Sequence, residues 1–171
     1  MALHEQCIGK SDEWYTPPHV FNALGGAYDM DVSSPGRAAT PWVPAVEFVT
    51  ADSLAREWRG FVWMNPPFGG RNGLMPWLEK FFAHGDGIAL VPDRTSAPWW
   101  QQFAPRADLA LFVARKIRFI AGFDDPANDI VRGMPGKSPA QGTTLLAVGK
   151  RGVENLNRAA ANDLGCLFKS L

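Results

Sequence analysis

Phe61-Val62-Trp63-Met64-Asn65-Pro66-Pro67-Phe68 runs from an unbroken apolar tetrad straight into an asparagine, two prolines and a ring. Four apolar residues in a row read as a short strand buried on both faces of a parallel sheet. The asparagine and prolines stop that strand and place polar acceptors at its carboxyl end. That is the crevice in which open α/β sheets bind their ligands. Pro66 and Pro67 have fixed φ and no N–H to give to a helix or a ladder. The Pro66 carbonyl is therefore held stiffly and left free to accept a hydrogen bond.

An amide oxygen, a rigid carbonyl and an aromatic ring within four residues suit a planar ring that carries an exocyclic amine. Such an amine on a purine is a poor nucleophile, because its lone pair is delocalised into the ring. Two acceptors on its two hydrogens, Asn65 Oδ1 and the Pro66 carbonyl, favour a more tetrahedral nitrogen and a localised lone pair. They also stabilise the positive charge that develops as the nitrogen attacks, which is preorganised electrostatic catalysis. Phe68 is placed to stack on the ring and fix its plane. A sulfonium methyl donor needs in-line placement and neither a metal nor a general base of shifted pKa. The plainer alternative is that Asn-Pro-Pro is only a strand-ending turn.

Outward from this stretch, strands and helices alternate. Thr16 is expected to cap a short helix entered by Pro17, with Val20, Phe21 and Leu24 on one face and Gly25 as its stop. Tyr28–Val32 alternates apolar and acidic residues as a strand does, residues 33–44 form a loop, and Ala45–Val49 is a second strand. Asp52-Ser53 opens a brief helical turn. Leu74, Trp77, Leu78, Phe81 and Phe82 mark an amphipathic helix. Gly87–Val91, Leu109–Val113, Ile117–Ile120 and Thr143–Val148 read as further strands, with a short helix over Ala97–Phe103. Val153, Leu156, Ala160 and Leu164 give a closing helix. This alternation predicts an α/β domain, a mostly parallel twisted sheet with helices on both faces. No convincing helix separates the last two strands, so the final strand is expected to run antiparallel at or near one edge.

Composition sets the outer bounds. A chain of 171 residues makes a single domain with a full sheet core, preceded by a loose polar segment over residues 1–12. Its formal net charge is zero, so any surface for nucleic acid must be local. Seven tryptophans and eleven phenylalanines supply ample stacking surface; Trp99-Trp100 is a conceivable base platform, though core packing is the commoner use of such residues. Cys7 and Cys166 stand far apart, which is no disulfide framework and fits a reducing compartment. His4, His19 and His84 have no partners at metal-ligand spacing, so no metal site is expected. No leader and no bilayer-length apolar run is evident, and a cytoplasmic location is expected.

Together these residues resemble the phage-type DNA N6-adenine methyltransferase (Dam) family. The resemblance runs from Asp12 to about Gly149, through Asp12–Pro18, Tyr28–Val32, Asp52-Ser53-Leu54, Asn65–Phe68, Val91–Thr95 with Trp99-Trp100, and Ile117-Arg118-Phe119. It implies a Rossmann-like methyltransferase fold with a reversed final strand, S-adenosylmethionine as cofactor, and DNA, taken as double-stranded, as substrate. It also implies a phage or prophage setting, in bacterial or phage-infected host cytoplasm, and places Asn65, Pro66, Pro67 and Phe68 in the catalytic loop. Tyr15, Thr16 and Pro17 match a segment lying over the cofactor. Asp31 matches an acidic residue near the cofactor's methionine end, Asp52 one at its adenine ring, and Asn65 is shared with the cofactor site. Many adenine methyltransferases carry a glycine-rich turn after the first strand; here it reads Asp31-Val32-Ser33-Ser34-Pro35-Gly36, small but not glycine-rich.

No separate target-recognition domain is visible, so sequence reading falls to loops, and residues 122–142 are the candidate. Arg132 and Lys137 lie within that segment, with Arg115, Lys116 and Arg118 just before it; Asp124, Asp125 and Asp129 also allow an ordinary solvated loop. Two other functions share the Asn-Pro-Pro-aromatic loop, methylation of RNA bases and of protein glutamine. A silent nucleic-acid-binding subunit with the same fold is a third alternative.

Overall fold

A computed structural model describes residues 13–68 and 73–169. The expected loose segment 1–12, with His4, Cys7 and Asp12, lies outside them. In chain order the elements are β1 (Trp14–Tyr15), α1 (Pro18–Leu24), β2 (Tyr28–Asp31), β3 (Ala45–Phe48), β4 (Val62–Met64), α2 (Met75–His84), β5 (Gly87–Pro92), α3 (Pro98–Phe103), β6 (Leu109–Val113), β7 (Ile120–Ala121), β8 (Thr143–Val148), α4 (Lys150–Ala161) and β9 (Gly165–Phe168).

Seven strands make one mixed sheet in the order β3-β2-β4-β5-β8-β6-β9, and β1 pairs with β7 in a separate antiparallel ribbon. β3, β2, β4 and β5 are mutually parallel. β8 runs antiparallel to both β5 and β6, and β9 is antiparallel to β6. The expected reversal of Thr143–Val148 is therefore present, but the strand lies inside the sheet rather than at its rim. The rim is taken by β9, a strand that follows the closing helix and was not among the expected elements.

Side-chain alternation divides the core into two layers, as the strand period of two requires. Tyr28, Trp63, Ile88, Leu90, Leu145 and Ala147 face a cluster covered by α1 and α4. Met30, Val62, Met64, Ala89, Val91 and Leu146 face the other side, covered by α2 and α3. Trp99 and Trp100 belong to this second layer, 8% and 7% exposed, and form no open platform.

Helix ends follow local chemistry. Pro18 opens α1, and Gly25 closes it in the left-handed region at φ 59°, its N–H donating to the Phe21 carbonyl. Thr16 is not the cap expected of it: Pro17 occupies the capping position, one residue later, and contributes no side-chain bond. Of the strand expected over Ile117–Ile120 only Ile120–Ala121 forms; Ile117 is buried in the core instead of paired. Residues 122–142 are irregular, with a 3-10 turn at Pro126–Asn128. Among the described residues no helix is long and apolar enough to cross a membrane.

Candidate active site

Parallel strands leave β2 in opposite directions across the sheet, to β3 on one side and to β4 on the other. Such a reversal of strand order opens a crevice at the carboxyl ends. Asp31 ends β2 and Asn65 follows β4, so both stand on this crevice. The β1–β7 ribbon closes it into a cleft of about 550 Å3, whose walls include Trp14, Thr16, Asp31, Ser33, Asn65 and Arg132. A second hollow of about 250 Å3 adjoins it through Ser33, Ser34, Thr50 and Pro67, and reaches Asp52 and Trp77.

Asp31 is 4% exposed. Burial pushes its carboxyl up to about 6, and the Ser33 N–H and Ser34 hydroxyl offset only part of that cost. The Ser33 N–H lies 3.3 Å from Oδ1. Among the described residues no cation pairs with this carboxylate, although six ion pairs form elsewhere. Thr16, which also lines the cleft, is equally buried, and among the described residues its Oγ1 has no hydrogen-bond partner. A buried carboxylate without a counter-ion and a buried hydroxyl without a partner, both on one cleft, fit a ligand that brings a cation and polar atoms.

Asn65 is fixed at both ends. Its backbone N–H donates to Ser33 Oγ at 2.9 Å, and its side-chain Nδ2–H donates to the Trp14 carbonyl at 3.2 Å. Only the amide nitrogen can serve a carbonyl, and among the described residues Oδ1 accepts no hydrogen bond. Pro66 is buried, and among the described residues its carbonyl accepts no hydrogen bond. Pro67 is exposed and borders both hollows. Phe68 is half-buried, packed where the two core layers meet, and is not part of the cleft lining.

Asp52 sits at φ 53°, a left-handed conformation that costs a non-glycine residue about 1 kcal/mol or more. Its backbone carbonyl, not its carboxylate, takes the Ala55 and Arg56 N–H groups. The turn is braced from beneath. Lys80 of α2 donates Nζ to the Ser53, Leu54 and Arg56 carbonyls, and Trp58 Nε1 donates to Ser53 O at 3.0 Å. The Asp52 carboxylate is thus left exposed beside the smaller hollow.

Of the amino-terminal trio, Tyr15 and Thr16 line the cleft, whereas Pro17 is buried at the start of α1. Burial raises the Tyr15 phenol above its usual value, the Glu13 carboxylate adds to this and Arg132 opposes it. The five basic candidates differ in what they touch. Arg132 lines the cleft and pairs with Asp124 at 3.8 Å. Lys116 and Arg118 each give one donor to the loop itself, reaching the Ala140 carbonyl at 2.7 Å and the Gly136 carbonyl at 2.9 Å. Lys137 pairs with Asp129 at 3.6 Å, and Arg115 is exposed at φ 64°.

Ser33, Ser34 and Trp14 line the cleft and were not singled out by sequence reasoning. The signal for the serines is the small-residue turn after Asp31, whose hydroxyls accept from the Asn65 N–H at 2.9 Å and the Gly36 N–H at 3.0 Å. Trp14 carried no comparable signal, because it acts through its main chain.

A family model described as DNA N-6-adenine-methyltransferase (Dam) matches residues 6–131. Neither a curated protein nor a solved structure gives a significant match to the chain.

Proposed function

The chain belongs to the DNA N-6-adenine-methyltransferase (Dam) family, and from that premise we propose that it is an adenine-specific DNA methyltransferase using S-adenosylmethionine. The observation that carries this reading is the Asn65 amide, tied by its nitrogen to Trp14 and offering its oxygen on the same cleft as the unpaired Asp31 carboxylate. The reading includes a Rossmann-like methyltransferase arrangement of the sheet. Its support is the parallel block β3-β2-β4-β5, the crevice at β2 and β4, and the reversed β8.

Asp31 is suited to hold an ammonium by a charge-assisted hydrogen bond. Thr16 would supply a buried hydroxyl, and Tyr15 the wall beside it. Asp52, projecting by the smaller hollow, is suited to the donors of an adenine ring. S-adenosylmethionine, when bound, supplies an electrophilic methyl on a sulfonium.

Asn65 Oδ1 and the Pro66 carbonyl accept the two N–H bonds of the target amine and stabilise the charge that grows on it. As the amine gains the methyl it gives up one proton, which leaves to water, since neither acceptor has a pKa that would retain it. An adenine amine paired inside a duplex cannot reach Asn65, so the nucleotide must rotate out of the helix. Phe68 is the ring proposed to receive it, and residues 122–142, with Arg132 at the cleft, form the proposed DNA-contacting loop.

Incubating purified protein with methyl-labelled S-adenosylmethionine and duplex DNA, then digesting to nucleosides, is expected to yield labelled N6-methyladenosine in its deoxy form. Label appearing only in RNA or in protein glutamine would transfer the reading to one of those substrates. No label in any of the three, with cofactor bound, would make the chain a silent binding subunit.

A further inference from the structure

We infer that Trp14 is the positioning residue for the catalytic amide, and that the segment 118–136 sets the amide's orientation by gripping the Trp14 indole. The inference rests on the reading of Asn65 as the acceptor of the target amine.

An asparagine side chain can turn end for end at little cost, and a flipped Asn65 would offer N–H groups to an amine that itself needs acceptors. Among the described residues, the side-chain amide makes one hydrogen bond, from Nδ2 to the Trp14 carbonyl, 3.2 Å long. That carbonyl belongs to a strand of two residues, paired only as Trp14↔Ala121 and Tyr15↔Ile120. Two residue pairs hold a backbone weakly, so other contacts must fix it.

Those contacts come from the loop. The Gly122 N–H donates to the Glu13 carbonyl at 2.8 Å. The indole meets the Phe123 ring edge-on, with centroids 5.3 Å apart and planes at 83°. Gly136 also abuts the indole: a Cβ there would come within 2.5 Å of Cζ3 and 2.8 Å of Cη2. Gly136 is itself clamped, its N–H to the Phe119 carbonyl at 2.8 Å and its carbonyl to Arg118 Nε at 2.9 Å. The chain of contact therefore runs from Arg118 and Gly136 through the indole to the Trp14 carbonyl and on to Asn65. It joins the loop proposed to meet DNA with the group proposed to hold the base. Glycine at 136 is required by the indole and not by its backbone angles, since its φ is not among the positive ones.

Gly136→Ala tests this from outside the cleft, which Gly136 does not line. The added methyl must displace the indole. The expected result is a ten- to hundredfold fall in kcat for methyl transfer to DNA, the scale of a misplaced catalytic group. The Kd for S-adenosylmethionine should stay within about twofold, because no cofactor contact is lost. Trp14→Phe keeps a ring against Phe123 and is expected to retain more kcat than Trp14→Ala.

In an Asn65→Ala background Gly136→Ala should cost nothing further, as residues acting through one group are not additive. A full multiplicative loss in the double variant would overturn the inference. A second readout needs no turnover: in nitrogen-edited NMR of the DNA-free protein, the Asn65 side-chain amide protons should shift toward free-amide positions in Gly136→Ala. Unmoved resonances would overturn it as well. If wild type methylates no DNA, the functional reading fails on that result alone, while the NMR comparison still decides whether the loop positions Asn65.

Discussion

Asp31 and Asn65 stand at the ends of strands covered by core on both faces, whereas Trp14 and Arg132 stand on a two-pair ribbon and the irregular loop that it anchors. One wall of the cleft is thus part of the sheet, and the other is laid against it by a few hydrogen bonds and ring contacts. A sheet-borne wall can hold a costly group: burial, net of the Ser33 and Ser34 hydrogen bonds that oppose it, pushes the Asp31 carboxyl up to about 6, roughly 3 kcal/mol carried by the surrounding fold. A wall held by edge contacts can yield to a large substrate. The chemistry and the charged cofactor contact are accordingly expected from the first wall, and substrate response, beside Tyr15 and Thr16, from the second.

The harshest way to break this division is Asn65→Ala. It removes the free acceptor while leaving the backbone bond to Ser33, so methyl incorporation should fall by about a hundredfold or more. The unfolding midpoint should barely move. Wild-type incorporation would take Asn65 out of the mechanism and leave the sheet-borne wall without its chemistry.

Asp31→Asn comes next. Loss of a charge-assisted bond should weaken S-adenosylmethionine binding by roughly tenfold or more in calorimetry. The same change has a stability signature of opposite sign. A carboxyl whose folded pKa is raised is bound to its proton more tightly in the native state, so its contribution to stability declines as pH rises from about 4 through about 6. At pH 8 the ligand-free variant should therefore unfold at a higher temperature than wild type, with the gap closing at pH 4. Cofactor affinity of wild type should drop below pH 6, and binding near that pH should release a proton. Equal affinity in the two proteins would make Asp31 structural only.

Phe68→Ala sharpens the comparison, because Phe68 belongs to both core layers and yet follows the catalytic acceptors. If it receives the extruded base, the variant should bind duplex DNA carrying a flipped base more weakly by about 1–3 kcal/mol. Cofactor binding should be spared. A 2-aminopurine at the target position would report the extrusion by brightening. Undiminished turnover would reduce Phe68 to packing.

The smallest effect is expected at Arg132→Ala. Its side chain is 66% exposed and shared with Asp124, so DNA affinity should fall only a few-fold and evenly across sequences. Titrations against salt should show a shallower slope, by about one counterion. An unchanged slope would mean that Arg132 touches no phosphate.

What could be read from sequence follows from how local each cause is. The strand at Val62–Met64 and its stop were legible because proline chemistry and an apolar run act within eight residues. The strands Leu109–Val113 and Thr143–Val148 were legible to the residue. β9 was not: Leu164 extended the helical spacing of Val153, Leu156 and Ala160, yet the helix stops at Ala161. Asp163 turns the chain at φ 58°, and Gly165–Phe168 finds its partner in β6, some fifty residues earlier. The Asn162-Asp163 pair and Gly165 were turn signals that periodicity overrode. Likewise Thr16 sat where a cap would, but the fold spends it on the cleft. Ser33 was marked only by the small-residue turn, and Trp14 not at all, because their roles are made by contacts across 32 and 51 positions.

β8 lies between β5 and β6, so the centre of the sheet is completed by a strand synthesised after both of its neighbours. While the nascent chain is growing, β5 and β6 therefore show each other open edges, rows of unpaired N–H and C=O groups with no direct way to pair. The protein must wait for Thr143–Val148 to thread between them. Its assembly is governed by a late, long-range insertion of the kind that slows folding and invites association between unfinished chains. The same strand that makes the finished sheet continuous makes the unfinished one sticky.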